Sequence, residues 1–96
     1  KEHFDILRKI SKNSKISQRS LSGELKLSLG IINYCLSKLK EKGLIKIKNF
    51  KNNKNKIQYL YLLTPKGVSQ KADLTIQFMK LKMKEYDELK KEMEKR

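Results

Sequence analysis

The sequence predicts a mainly α-helical protein with one small β-hairpin, in the order three short helices, hairpin, long helix. Three observations lead to this prediction. Apolar residues recur at helical spacing up to residue 42, apolar and basic residues alternate after Gly43, and Thr64-Pro65 opens a long segment with no helix breaker after Lys66. With 96 residues the chain is the size of one domain and can bury only a thin core.

Two amphipathic helices are predicted at the start of the chain, over residues 2–12 and from about 18 to 25. The first has its apolar residues at helical spacing: Phe4, Ile6, Leu7 and Ile10. Ser17 is a suitable N-cap for the second, in which Leu21 and Leu25 share one face at i, i+4. The polar segment between them is expected to be a loop.

A third helix is predicted over residues 29–42, with Ser28 as its N-cap and Gly43 just beyond its end. Its apolar face is expected to consist of Ile32, Cys35, Leu36 and Leu39. Two short helices are followed by this third helix, with tight connections between them, and then by the hairpin. This order indicates a winged helix-turn-helix, in which the third helix is the recognition helix.

The hairpin is predicted from a change in the spacing of apolar residues, from helical periodicity to alternation. Residues 44–48 alternate apolar and basic side chains, as in a half-buried strand, and residues 57–63 are rich in β-forming residues. Between them, residues 51–56 contain only lysine and asparagine and predict a long, flexible, basic tip.

The C-terminal helix carries two apolar stripes. A heptad-like seam comprises Ala72, Ile76, Met79, Met83 and Tyr86, and resumes at Met93 after Lys90. A second stripe comprises Leu74, Phe78 and Leu81. We therefore expect a winged-helix domain over 1–64 and a dimerisation helix over 65–96, with one stripe on the domain and the seam on a second subunit. In the alternative, both stripes meet the same small domain.

The charge indicates a polyanionic partner. The formal net charge is +14, and residues 6–72 alone hold sixteen Lys or Arg against Glu24 and Glu41. Residues 73–96 are nearly balanced, with seven bases against six acids. Double-stranded DNA is the expected partner, because phosphate contacts supply most of the non-specific affinity of such domains. A lysine-biased composition without a partner is the plainer alternative, but it does not account for the lack of acids.

Candidate DNA contacts come from the outward side of the third helix and from the hairpin. The helix would present Ser28, Leu29, Gly30, Ile31, Asn33, Tyr34, Ser37 and Lys38 to the major groove. Asn33 suits adenine, Tyr34 suits a phosphate or a thymine methyl group, and Lys38 suits a phosphate. The wing, 46–56, would place Lys46, Lys48, Lys51, Lys54 and Lys56 on the backbone or in the minor groove. Lys15 and Arg19, at the start of the second helix, are further phosphate candidates. The alternatives are a purely capping Ser28, a Tyr34 packed on the first helix, and a solvated wing loop.

Catalysis, metal binding and cofactors are not expected. His3 and Cys35 are the only residues of their types, and two such ligands fall short of a metal site. Cys35 falls on the apolar face of the third helix, which favours a core thiol over a nucleophile. No run of residues is long and apolar enough to span a membrane, and a lone cysteine suits a reducing cytoplasm.

Several segments resemble a known family. SLGIINYCL at 28–36, EKGLIKIKNFKNNKNK at 41–56, YLLTPKG at 61–67 and KMKEYDELKKEM at 82–93 are similar to the MarR-type winged-helix regulators. The closest likeness is to the small subgroup of extracellular-polysaccharide-associated transcriptional regulators. The resemblance implies a dimeric, cytoplasmic, DNA-binding regulator and leaves any small-molecule effector open.

We therefore expect a sequence-specific regulator that binds double-stranded DNA as a homodimer. Two alternatives remain open. One is a sequence-indifferent, nucleoid-type DNA binder, and the other is a winged-helix module that binds another protein.

Overall fold

The computed structural model describes residues 1–95 and has the predicted architecture of four helices and a two-stranded antiparallel hairpin. The elements in chain order are α1 (Glu2–Lys12), α2 (Gln18–Leu25), α3 (Leu29–Glu41), β1 (Ile45–Lys51), β2 (Ile57–Leu63) and α4 (Pro65–Glu94). The predicted fold class, a winged helix-turn-helix with a long C-terminal helix, is confirmed. The predicted C-terminal helix includes Arg96, which lies outside the described residues.

Three helices begin at the predicted caps. The side-chain oxygens of Ser17, Ser28 and Thr64 each accept a hydrogen bond from the backbone N–H three residues later, at 3.0, 3.2 and 3.0 Å respectively. Each bond satisfies one of the donors that a helix start leaves free. Pro65 occupies the first turn of α4, where the missing N–H costs nothing.

Two predicted boundaries differ from the structure. The helix predicted over 29–42 ends at Glu41, with Lys42 as its C-cap, and Gly43 adopts the left-handed conformation at φ 73°. The strand predicted over 44–48 runs instead from Ile45 to Lys51, because its pairing with β2 continues past the last buried residue. Backbone hydrogen bonding, which the apolar pattern does not report, sets the length of this strand.

The core lies where α1, α2 and α3 meet the base of the hairpin. Its buried members include every residue predicted for the apolar faces of α1 and α3. The main cluster is Ile6, Leu7, Ile10, Ile16, Leu21, Ile32, Cys35, Leu36, Leu39, Leu44, Ile45 and Tyr61, while Leu25 is partly buried against it. These contacts hold α3 with one side against the domain and the other side free.

The hairpin is anchored at its base. Ile45 pairs with Leu63 and Ile47 with Tyr61, so these four side chains lie on the face that meets the helices. Tyr61 also donates its backbone N–H to the carbonyl oxygen of Ser14 at 2.8 Å, which joins β2 to the loop between α1 and α2. The outer part of the hairpin extends beyond these contacts and is exposed.

The long helix α4 packs on the domain only through its N-terminal half. Leu74 contacts the core cluster, and the centroid of the Phe78 ring lies 5.8 Å from the centroid of the Phe4 ring. Every described residue from Ile76 onward is exposed. The described chain is therefore elongated, with a longest dimension of 64 Å against 27 and 22 Å in the other directions. Within residues 1–95, no helix has the length and apolarity needed to cross a membrane.

Candidate functional site

The outward side of α3 is not covered by any other part of residues 1–95. Ile32, Cys35, Leu36 and Leu39 form its buried side. Six of the predicted contact residues are exposed on the other side: Leu29, Gly30, Ile31, Asn33, Tyr34 and Ser37. Tyr34 retains 62% exposure, so it does not pack on α1. The helix therefore presents a continuous free surface over its first three turns.

Lys38 differs from these residues because its side chain has partners within the helix. Its Nζ atom lies 3.3 Å from Glu41 Oε2 and 5.7 Å from the centroid of the Tyr34 ring. Such a half-exposed ion pair contributes little to stability. It nevertheless orients the ammonium group at the edge of the free surface, between the aromatic ring and the carboxylate.

The wing carries exposed lysines on its outer face. Lys46 pairs with Leu62 and Lys48 with Leu60, on the face opposite the core, and both lysines are exposed as predicted. Their ammonium groups are therefore free to contact a partner, with no salt bridge to either among the described residues.

The tip is shorter and more ordered than the sequence predicted. Lys51, predicted to lie in the tip, is the last residue of β1 and pairs with Ile57. Asn52 organises the remaining turn. Its backbone N–H donates to the Lys56 carbonyl oxygen at 2.9 Å, and its Oδ1 accepts from the backbone N–H groups of Lys54 and Lys56 at 2.9 and 3.1 Å. An asparagine at the start of a turn is the sequence signal for this arrangement.

The start of α2 faces an open cleft beside the wing. The cleft has a volume of about 420 Å³ and lies between Lys15 and Gln18 on one side and Ile57 and Tyr59 on the other. Lys15, which lines the cleft, and Arg19, in the first turn of α2, are both exposed, as expected for phosphate candidates. Phe50, Ile57 and Tyr59 of the wing are exposed, which the sequence did not predict. Strand periodicity shows which side chains share a face of the sheet, but it does not show where along the hairpin the core ends.

The seam predicted on α4 is exposed along its whole length. Its members are Ala72, Ile76, Met79, Met83, Tyr86 and Met93. In the second stripe, Leu74 and Phe78 meet the domain, whereas Leu81 keeps 62% of its surface exposed. Val68, which is exposed one turn before Ala72, extends the apolar surface and was not predicted.

Neither candidate for nucleophilic or metal chemistry has partners suited to it. Burial raises the pKa of the Cys35 thiol, which favours the protonated form over the nucleophilic thiolate. Burial and the nearby Lys42 ammonium lower the pKa of His3. Among residues 1–95, no three His, Cys, Asp or Glu side chains come together as a group that could hold a metal ion.

Comparisons with known proteins agree with this geometry. Residues 3–46 match a family model described as winged helix-turn-helix DNA-binding. A comparison with curated proteins finds no match.

Solved structures of regulators superimpose on most of the chain. The PcaV transcriptional regulator of Streptomyces coelicolor, solved with its natural ligand, has a TM-score of 0.69 and 18% identity over 83% of this chain and 55% of its own. Staphylococcus aureus MarR, solved with salicylate and kanamycin, has a TM-score of 0.67 and 24% identity over 86% of this chain and 54% of its own. A mutant of Lactococcus lactis ZitR in its apo form has a TM-score of 0.72 and 25% identity over 92% and 64%.

The chain thus spans only slightly more than half the length of the PcaV and MarR chains that it matches. The two matches nevertheless cover more than four fifths of this chain. The chain therefore contains a winged helix-turn-helix domain and has the fold of MarR regulators.

Proposed function

We propose that this protein is a sequence-specific transcriptional regulator that binds double-stranded DNA as a homodimer in the cytoplasm. The observation that carries the proposal is the free outer surface of α3, the second helix of a helix-turn-helix motif, in a domain with a strongly basic wing. In this motif the second helix enters the major groove and its N-terminal residues contact base edges.

The wing and the start of α2 would supply the phosphate contacts. Lys46, Lys48, Lys51, Lys54 and Lys56 are all exposed, as is Arg19. Contacts of this kind position a protein on the duplex and add affinity without reading sequence. The lysines at the tip, held by the turn at Asn52, suit the minor groove or the adjacent backbone.

The dimer would form through α4. Its exposed seam contains large apolar side chains that no described residue covers, among them Ile76, Met79, Met83 and Tyr86. An amphipathic helix with an uncovered seam is stabilised by a partner helix. A second copy of the chain would bury both seams and place two recognition helices on a two-fold operator with half-sites about one or two helical turns apart.

DNA binding is tested by fluorescence anisotropy on genomic and random duplexes at two salt concentrations. A domain with several phosphate contacts is expected to lose on the order of a thousandfold in affinity between about 50 and 200 mM salt. Lys54→Ala, in the tip, should reduce the slope of log affinity against log salt by about one. Lys84→Ala, which removes an exposed lysine from α4, is the matched control and should leave the slope unchanged.

The same assay separates the proposal from its alternatives. Equal affinity for genomic and random duplexes indicates a nucleoid-type binder. Unchanged binding after Asn33→Ala and Lys38→Ala indicates that α3 does not contact DNA and favours a protein-interaction module. Binding that is indifferent to salt contradicts the phosphate contacts on which the proposal depends.

The dimer is tested by sedimentation of two matched variants of α4. Met83→Lys places a charge in the seam, whereas Leu81→Lys places the same charge on the opposite side, at a residue of nearly equal exposure, 62% against 65%. We expect Met83→Lys to shift the protein to monomer and Leu81→Lys to leave the dimer intact. A wild-type monomer at micromolar concentration, or equal effects of both variants, contradicts dimerisation through this seam.

A further inference from the structure

The part of α3 expected to touch bases contains no charged side chain. Residues 28–37 read SLGIINYCLS, in a chain that holds 24 lysines and arginines. The nearest charge on the same helix is Lys38, and its ammonium group is oriented by Glu41 and Tyr34. The basic character of the protein therefore stops at the surface that would read sequence.

In place of charges, this surface presents large apolar groups. Leu29, Ile31 and Tyr34 are 47%, 44% and 62% exposed, and they lie within six residues of one another. They add nothing to the core, because the opposite side of α3 supplies it. Exposed apolar side chains spread over the free side of a helix indicate a contact with a partner.

The chemistry of this surface matches only part of what the major groove offers. Guanine is read by arginine or lysine and cytosine by a carboxylate, and residues 28–37 contain none of these. Adenine is read by asparagine, which is present as the exposed Asn33. The C5-methyl group of thymine is read by apolar contact, for which Leu29, Ile31 and Tyr34 are available.

We propose that α3 selects A·T base pairs, with Leu29, Ile31 and Tyr34 packed on thymine methyl groups and Asn33 paired with adenine. The inference rests on the proposed function, since it names the base sequence that the same surface reads. Sequence preference then comes largely from the burial of methyl groups, while the wing lysines supply affinity that does not depend on sequence.

Gly30 supports close contact at this surface. A Cβ on Gly30 would meet nothing closer than Ser28 Oγ, at 3.9 Å, so the packing of the protein does not require glycine. Glycine is nevertheless a poor residue for a helix compared with alanine. Its position between Leu29 and Ile31 leaves room for the edge of a base pair to approach the helix backbone.

The test begins with duplexes selected from a random pool by the wild-type protein. We expect the positions shared by the selected sites to be A·T pairs. Each thymine of a selected site is then replaced by deoxyuridine, which lacks the methyl group and pairs unchanged. Replacement of a contacted thymine should lower the affinity of the protein for the duplex by about threefold to fourfold, the value expected for the loss of one buried methyl group.

Variants assign the contacts to residues. Ile31→Ala should bind the thymine duplex more weakly and lose the sensitivity to deoxyuridine at one position. Leu81→Ala, which truncates an exposed apolar residue of α4, is the control and should keep that sensitivity. Thermal unfolding of both variants establishes that each is folded.

The outcomes distinguish this inference from the proposed function. Selected sites with guanine at the shared positions, or equal affinity for thymine and deoxyuridine duplexes, overturn the A·T selection and leave DNA binding intact. Absence of DNA binding by the wild-type protein overturns the proposed function, and this inference with it.

Discussion

Gly67, in the first turn of α4, lies directly against the backbone of Leu44, just before β1. A Cβ at Gly67 would be 1.9 Å from the Leu44 carbonyl oxygen. The same oxygen accepts a hydrogen bond from the backbone N–H of Thr64 at 3.0 Å, and Thr64 Oγ1 donates to the Gly43 carbonyl oxygen at 2.6 Å. These contacts join the start of the long helix to the start of the wing, so they fix the position of α4 relative to β1.

We predict that Gly67→Ala destabilises the protein, although alanine is normally the better helix residue. The added methyl group overlaps backbone atoms that cannot move without displacing β1. The free energy of unfolding should fall by about 1–3 kcal/mol or more. Urea denaturation measures the loss.

The matched control for Gly67→Ala is Gly23→Ala in α2. A Cβ at Gly23 has no neighbour within 4 Å, so this variant should be more stable than the wild type by about 0.5–1 kcal/mol. If both variants are stabilised to the same extent, the close contact between Gly67 and Leu44 does not exist in solution.

We predict that Lys90→Leu strengthens the proposed dimer. Lys90 follows Met83 and Tyr86 on the seam and places an exposed ammonium group in an otherwise apolar stripe. A lysine at a seam position lowers the stability of a helical pair. Sedimentation equilibrium should show a smaller dissociation constant for Lys90→Leu, and no such change for Lys91→Leu, one residue away and off the seam.

We predict that the Cys35 thiol does not react with thiol reagents while the protein is folded. The residue is buried between Ile32 and Leu36, and burial raises the pKa of its thiol. Modification should therefore require unfolding and become rapid in urea. Rapid modification of the native protein would contradict the position of Cys35 in the core.

We predict that stability falls as the pH is lowered from about 7.5 to about 5.5. Burial, and after it the Lys42 ammonium, lower the pKa of His3 from its ordinary value of 6.5. The folded state therefore binds this proton more weakly than the unfolded chain, so acidification below the unfolded pKa favours unfolding. His3 is the only histidine of the chain. Urea denaturation of His3→Gln should show a flatter dependence over this range.

The elements and their order could be predicted from the sequence because their signals are local. Helical spacing of apolar residues, the caps Ser17, Ser28 and Thr64, and the change of period after Gly43 each depend on neighbours within a few residues. The buried faces of α1 and α3 followed for the same reason. So did the identity of the exposed side of α3, since it is what remains when the apolar face is assigned.

The wing was predicted less well. The sequence did not show that Lys51 pairs with Ile57 or that Asn52 orders the tip, because cross-strand register depends on the geometry of the turn. For the two stripes of α4, the sequence predicted that the seam stays free of the domain but left open that both stripes meet it. The contact of Phe78 with Phe4 assigns one stripe to the domain and leaves the seam exposed.

The sequence by itself determined which segments are helix or strand and which side of each helix is apolar, since these properties arise from residues a few positions apart. Only the tertiary structure decided why position 67 requires glycine, how far β1 extends and whether both stripes of α4 meet the domain. Those outcomes depend on atoms of residues far apart in the chain, such as Gly67 and Leu44, and no local pattern reports their distance.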